Sequence, residues 1–321
     1  MTSTATAPGK LILIGEFAVL EGAPAIVMAI DRRAQVRVTS AQTNLVTAPE
    51  ICEREVSFSV DADRRVSWLG VDPSQSVRLE ILAQVIARYW SGTPVHIETD
   101  TAAFFEDGIK MGFGSSAALT VAASAALRRK VPDLAELIET HKVAQGGRGS
   151  GFDIAASLNG GVINFRSQPP EATPLSLPDG LHMRCVWTGH AASTSAFLRG
   201  LDALGERRNA IDELAGSARS AVSGLDNSPA SWVQAVQNYS KALKRFAAQT
   251  SLPIFSGGHT EIAEVANANN VAYKPSGAGG GDLGIAVSMD AAPLESFSRA
   301  LSATGVRIVR LVVDKKGLIL S

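Results

Sequence analysis

The chain reads as an α+β protein of two domains, and three features say so. Its 321 residues, 45% of them hydrophobic, suffice for about two cores of ordinary size. Segments with strand period and segments with helix period follow one another without the regular βαβ alternation of a doubly wound sheet. Between 167 and 180 (SQPPEATPLSLPDG) four prolines and two serines interrupt both patterns. That stretch predicts a domain linker or a long surface connection, with an N-terminal domain over 1–170 and a C-terminal domain over 171–321.

Along the chain, 10–14 (KLILI) and 25–30 (AIVMAI) are short apolar runs bounded by glycine or proline, as buried strands are. Residues 35–39 (QVRVT) and 94–98 (PVHIE) alternate polar with apolar, the pattern of half-buried strands. Over 77–90 the apolar residues fall at 77, 79, 81, 82, 85, 86 and 89, a helical spacing. The alanine-rich stretch 116–130 has no internal glycine or proline and opens on serines able to cap, which predicts a helix; another follows over 134–144. Beyond the proline-rich stretch the pattern predicts a strand at 183–188, then helices over 193–222, 231–248 and 259–269. A glycine-rich loop, a strand at 283–288, a helix over 291–303 and a strand at 306–313 complete the chain.

Composition excludes several functions. Thirty basic against 31 acidic side chains leave a net charge of −1, so no basic surplus is available for nucleic acid. A charged fraction of 19% and a mean hydropathy of +0.12 exclude a mostly disordered chain. The longest apolar run, 117–127, is about half the roughly 20 residues a bilayer span needs, so no membrane role is expected. The first eight residues lack the basic head and apolar body of a signal peptide. Cys52 and Cys185 are far apart and match neither a metal spacing nor a disulfide framework. A cytoplasmic protein with two reduced thiols is the expectation.

Glycines gather in three loops. In Gly112-Phe-Gly114-Ser115-Ser116-Ala117-Ala118 the loop opens directly into the alanine-rich helix. Unpaired N–H groups and the positive end of a helix dipole suit a phosphate there, and the hydroxyls can meet phosphate or Mg2+. Glycine turns before helices also serve as plain structural caps, so the local sequence leaves both readings open. The spacing superficially fits a dinucleotide fingerprint with Asp133 as its acidic residue, but 106–110 is a poor strand and Asp133 follows Pro132. A Walker loop is absent, because Leu11 follows Gly9-Lys10. The second loop, 145–153 (QGGRGSGFD), holds four glycines in six residues and ends on Asp153 before an apolar stretch. A carboxylate there is either paired and used or a cap for the next helix. The third, 274–282 (KPSGAGGGD), belongs to a run with five glycines between 277 and 284, more than a hairpin turn requires; a flexible linker is the other reading.

In this order and spacing the loops resemble the three motifs of the GHMP kinase superfamily. Ala7-Pro-Gly-Lys10 with 15–20 (GEFAVL) is similar to the first motif, 112–118 to the second, and 275–281 (PSGAGGG) to the third. Three segments resemble the phosphomevalonate kinase branch: 149–157 (GSGFDIAAS) with Gly160-Gly161, 187–194 (WTGHAAST), and 274–282. Phe17 stands where mevalonate kinases usually have histidine, and Phe113 replaces a common leucine. The resemblance implies the GHMP kinase fold: an N-terminal domain like ribosomal protein S5 domain 2, a ferredoxin-like C-terminal domain, and a site between them. It implies transfer of the ATP γ-phosphoryl group, with Mg2+, to (R)-5-phosphomevalonate in the mevalonate route to isoprenoids. The alternatives are a mevalonate kinase and a non-catalytic regulator, the latter disfavoured because Lys10 and Asp153 are both present. Small-molecule partners and a monomer or homodimer are expected.

The same resemblance assigns residues. Lys10 and Asp153 meet across the site as the catalytic pair, a structural salt bridge being the alternative. The backbone of Gly112, Gly114, Ser115, Ser116 and Ala117 cradles the ATP phosphates, and Ser116 ligates the metal, with Glu139 a further candidate. A phosphomonoester has a second pKa near 6, so its oxygen is already a nucleophile at pH 7 and Asp153 orients Lys10 rather than removing a proton. A dianionic acceptor calls for extra cations, for which Lys110 and Arg148 stand first, then His190 and Lys274; each fits equally a solvated surface charge. Ser150, Gly151, Ser193, Thr194, Ser276, Gly277, Gly279 and Gly280 complete the expected acceptor contacts.

Overall fold

The computed structural model describes residues 2–190, 208–302 and 304–321. Its first sheet is organised by a long antiparallel pair, β1 (Thr2–Ile14) and β2 (Ala25–Ser40). The sequence pattern suggests two strands in place of β2, because the polar Asp31-Arg32-Arg33 breaks the apolar run. The ladder nevertheless continues. Residues 25–28 of β2 pair with β9 (Val162–Ser167), and residues 35–40 pair with β6 (Val95–Asp100), so the polar triplet marks a change of neighbour. Arg33 is held there by the Asp314 carboxylate and the carbonyls of Thr6 and Gly317. Three shorter strands, β3 (Leu45–Thr47), β4 (Val56–Val60) and β5 (Val66–Leu69), extend the sheet from β6.

Helices α1 (Pro73–Arg78) and α2 (Glu80–Tyr89) follow, then a two-residue-per-strand hairpin, β7 (Phe105–Glu106) and β8 (Ile109–Lys110). Next come α3 (Ser115–Arg128), α4 (Leu134–Ala144) and α5 (Phe152–Asn159). α3 is buried on nearly every side, and its alanines let it lie close to β1 and β2. Asp133, the acidic residue of the dinucleotide pattern, caps α4 by accepting from the N–H groups of Ala135 and Glu136.

Part of the proline-rich stretch is strand rather than connection. Pro170–Leu175 forms β10, antiparallel to β9 at the sheet edge, where strands tolerate proline because only one side is paired. The passage to the second sheet is confined to 176–181.

That second sheet contains β11 (His182–Trp187), β12 (Ala272–Ser276), β13 (Leu283–Ser288) and β14 (Arg307–Val309). Its order β12-β13-β11-β14 is antiparallel throughout, the split βαβ arrangement of ferredoxin-like folds. Its helices are α6 (Arg208–Ser223), α7 (Pro229–Thr250), α8 (His259–Ala268) and α9 (Ala291–Leu301). Ile262, Ala266, Leu294, Phe297 and Leu301 of α8 and α9 cover one face. On the other side Trp232, Tyr239 and Phe246 of α7 share a core with Leu11, Leu13, Ile14 and Phe17, so this core runs across both sheets. The strand expected over 306–313 ends at 309 because the chain then leaves to dock on the first sheet: Val313 bridges to Ile30, and β15 (Ile319–Leu320) pairs with β1. Among the described residues no helix is long and apolar enough to cross a membrane.

Candidate active site

The first glycine loop is stitched to β1: the Lys10 N–H donates to the Phe113 carbonyl at 2.9 Å. Gly114 takes a left-handed conformation (φ 80°) and is the N-cap of α3, so Ser115 and Ser116 are the first residues inside the helix rather than its caps. No side-chain cap bond is made at this end, which keeps its positive dipole available to an anion. The Lys10 stem runs over Gly114, and its Nζ lies 3.5 Å from the Gly112 carbonyl oxygen and 5.8 Å from the Phe152 ring centroid. Enclosure pushes the Lys10 ammonium below its usual range, opposed by the carboxylates of Asp153, Asp282 and Glu16, with Asp153 the strongest of them.

Asp153 stands in the first turn of α5. Gly151, left-handed at φ 89°, is the N-cap, and a Cβ added to it would lie 2.6 Å from Ile138. The helix-cap reading of Asp153 therefore fails, although its Oδ1 accepts from the Ile154 N–H at 2.9 Å. Its Oδ2 lies 4.0 Å from Nδ1 of His141 on α4. The same imidazole places Nε2 3.3 Å from Ser116 Oγ and 3.2 Å from Gln145 Nε2. One buried histidine thus touches residues of two separate loops. Arg148 is half-buried in the glycine segment between α4 and α5, and Ser150 is buried beside Gly151.

The third loop follows β12. Lys274, expected as an acceptor ligand, is instead fully buried in an ion pair with Glu16 and donates to the Pro275 carbonyl. The second domain's ammonium is thereby committed to the first motif. Burial pushes Glu16 up and Lys274 down, and each opposes the other's shift. The Tyr239 hydroxyl donates to the Glu16 carbonyl at 2.6 Å, so α7 joins the same junction. Ser276 is likewise structural, because its hydroxyl donates to the Ile12 carbonyl at 2.8 Å. Gly279 is packed directly against Ile254, and the Gly280 N–H donates to the Ile254 carbonyl at 2.9 Å, so these two hold the loop down. Gly277 borders open space.

Asp282 closes the loop and brings it to the first glycine loop. An added Cβ on Gly112 would lie 2.9 Å from the Asp282 carboxyl carbon, and Asp282 acts on both Lys10 and Lys110. Lys110 is exposed at the end of β8, beside that carboxylate. His190 is exposed; its carbonyl accepts from the Asp282 N–H and its Nδ1 lies 3.2 Å from the Thr188 carbonyl oxygen. Ser193 and Thr194 lie outside the described residues. Glu139 is exposed two residues from the inward-facing His141, on the opposite side of α4, and so points away from the site.

Mg2+ prefers oxygen ligands, typically one or two carboxylates completed by waters and substrate phosphates. Among the described residues no group of three or more His, Cys, Asp and Glu side chains could hold a metal ion alone. The Ser116 hydroxyl and the Asp153 carboxylate, which face one His141 ring, are oxygen donors of the kind that an ion carried in on a polyphosphate takes.

His141, Asp282 and Glu16 are the site residues that sequence reasoning missed. His141 had a signal, since it falls one turn beyond the buried Leu137 and Ile138 on α4. Asp282 and Glu16 had only their places beside glycine motifs.

The profile of the GHMP kinases N terminal domain matches residues 77–161, which include the first glycine loop and Asp153. A phosphomevalonate kinase from Streptomyces sp. strain CL190 is 29% identical over 88% of each chain. A mevalonate kinase from Aeropyrum pernix is 28% identical, covering 94% of this chain and 95% of its own. Among solved structures, Streptococcus pneumoniae phosphomevalonate kinase in complex with phosphomevalonate and AMPPNP superposes with a TM-score of 0.75 at 19% identity, covering 97% of this chain and 99% of that one. This last likeness is one of fold.

Proposed function

The chain belongs to the GHMP kinases, ATP-dependent enzymes, and from that premise we propose that it transfers the γ-phosphoryl group of ATP to (R)-5-phosphomevalonate, giving 5-diphosphomevalonate and ADP. The observation that most supports this reading is the gathering of Lys10, Lys110, Asp153 and Asp282 around the uncapped N-terminus of α3. The Streptomyces relative named for this activity, similar over most of both chains, points the same way.

In this reading the N–H groups opening α3 receive ATP phosphate oxygens, and the Lys10 ammonium meets the charge that spreads over the transferred group. An oxygen of the acceptor phosphate attacks the γ-phosphorus, and the bond to the β–γ bridging oxygen breaks, its electron pair leaving with ADP. The dianionic acceptor needs no proton removed, so Asp153 holds Lys10 charged and directed. Lys110, half a turn of loop before the glycines, offsets the added charge of a phosphorylated acceptor. Mg2+, which Ser116 with Asp153 would hold, supplies further neutralisation of the phosphate oxygens.

A mevalonate kinase is the second reading, favoured by the Aeropyrum relative. A hydroxyl acceptor would make Asp153 the general base. A coupled ADP-release assay with mevalonate, 5-phosphomevalonate and homoserine separates them. Release much faster with 5-phosphomevalonate is expected; equal or faster turnover of mevalonate would transfer the assignment to the second reading.

A further inference from the structure

We propose that His141 is the positioning residue that sets both the Ser116 hydroxyl and the Asp153 carboxylate for phosphoryl transfer, an inference that rests on the kinase reading of those two residues. His141 is 3% exposed, on a helix face otherwise given to Leu137 and Ile138. A buried imidazole is costly unless both nitrogens find partners. Here the two nitrogens face two different loops, Nδ1 toward Asp153 Oδ2 at 4.0 Å and Nε2 toward Ser116 Oγ at 3.3 Å.

The contacts select a tautomer. Gln145, one turn further along, presents its amide nitrogen to Nε2 at 3.2 Å, and an amide nitrogen can only donate. Nε2 is therefore the acceptor and Nδ1 carries the proton, which is directed at the Asp153 carboxylate. With Nε2 accepting, its one lone pair is shared between the Gln145 N–H and the Ser116 hydroxyl proton, and the hydroxyl's own lone pairs are left for a cation or a phosphate-bound metal. A serine in the first turn of a helix otherwise rotates among local backbone partners. The Asp153 oxygen facing His141 is the one not taken by the Ile154 N–H, so the imidazole restrains the remaining freedom of that carboxylate. In this arrangement the buried His141 acts through Ser116 and Asp153, the two residues that the kinase reading turns toward the substrates.

Three variants of the full-length protein separate the two arms. The amide of His141→Gln reaches the place of Nε2, that of His141→Asn the place of Nδ1, and His141→Leu removes both. Each is measured for ATP affinity by calorimetry with Mg2+ and with EDTA, for kcat and KM, and for thermal midpoint. His141→Leu should lower kcat by about 10–100-fold, the usual range for residues that orient ligands of a metal site. It should also shrink the gain in ATP affinity that Mg2+ confers, leaving the affinity in EDTA unchanged. His141→Gln should recover the Mg2+ gain but not kcat, and His141→Asn should do the reverse. In a Ser116→Ala background, His141→Gln should leave the Mg2+ gain where Ser116→Ala alone puts it. Wild-type values in His141→Leu would overturn the proposal, as would Gln and Asn variants that both behave as Leu while losing thermal stability together. A wild-type protein that binds Mg-ATP yet phosphorylates no acceptor would sink the kinase reading, whereas the binding arms would still judge His141.

Discussion

Lowering the pH from 7 to 5 should destabilise this protein by about 2 kcal/mol through one side chain, His259, the first residue of α8. It is 0% exposed, with Nδ1 2.7 Å from the Tyr273 hydroxyl and Nε2 2.9 Å from the Gly281 carbonyl oxygen. The neutral ring satisfies both, donating from Nε2 to the carbonyl and accepting the Tyr273 proton at Nδ1. A second proton would make Nδ1 a donor, take from the Tyr273 proton its acceptor, and place a buried cation near Lys274. Burial, with a further push from Lys274 and against the pull of the Gly281 carbonyl, lowers the pKa from 6.5 to about 4. In the unfolded chain the ring takes up its proton as pH falls through about 6.5, whereas the folded ring resists until about 4. This contribution is therefore fully present above 6.5 and declines toward 4. At 1.36 kcal/mol per pH unit it totals roughly 3 kcal/mol, of which about 2 is gone by pH 5. Urea unfolding of wild type and His259→Gln at pH 7 and pH 5 isolates it, because the glutamine amide can donate to the Gly281 carbonyl from the place of Nε2 and does not titrate. Carboxylate titrations are common to both proteins and cancel in the difference. Wild type should lose about 2 kcal/mol more than the variant over this interval. Equal losses would refute the argument that this ring is held neutral by burial and its two partners.

Two other substitutions examine the corrected and the proposed roles. Lys274→Met should leave the Glu16 carboxylate buried without its cation and cost about 3–5 kcal/mol, seen as a large fall in thermal midpoint; unchanged stability with a raised acceptor KM would return Lys274 to the substrate pocket. Asp153→Asn should keep a measurable residual rate that rises with pH through about 6, as the acceptor phosphate takes its second charge. Complete inactivity across the range, in a folded variant that still binds ATP, would make Asp153 an obligatory base.

Much of the molecule was legible in the residue order because its signals are local. The helix α3 after the first glycine loop, helix α4 capped by Asp133, and the strand after the third glycine run all lie close to where spacing predicts them. Two misreadings share a cause. Part of the proline-rich stretch becomes β10, and the polar triplet 31–33 lies inside β2, because sheet neighbours satisfy backbone groups wherever the local pattern looks broken. An edge strand tolerates proline, and a strand changing neighbours tolerates charge.

The candidate site divides along the same line. By itself the sequence determined which segments supply glycine-rich turns, an N-terminal helix dipole, a lysine and an aspartate, since each is a property of a few consecutive residues. The tertiary structure alone decided which charges are available to a ligand. Lys274 and Lys110 both stand beside glycine motifs, yet one is buried against Glu16, 258 positions away along the chain, and the other is exposed beside Asp282. His141 likewise gains its meaning only where α3, α4 and α5 bring Ser116 and Asp153 to its two nitrogens. The physical reason is that an ionisable group's state depends on what replaces its water, and those replacements come from distant parts of the chain.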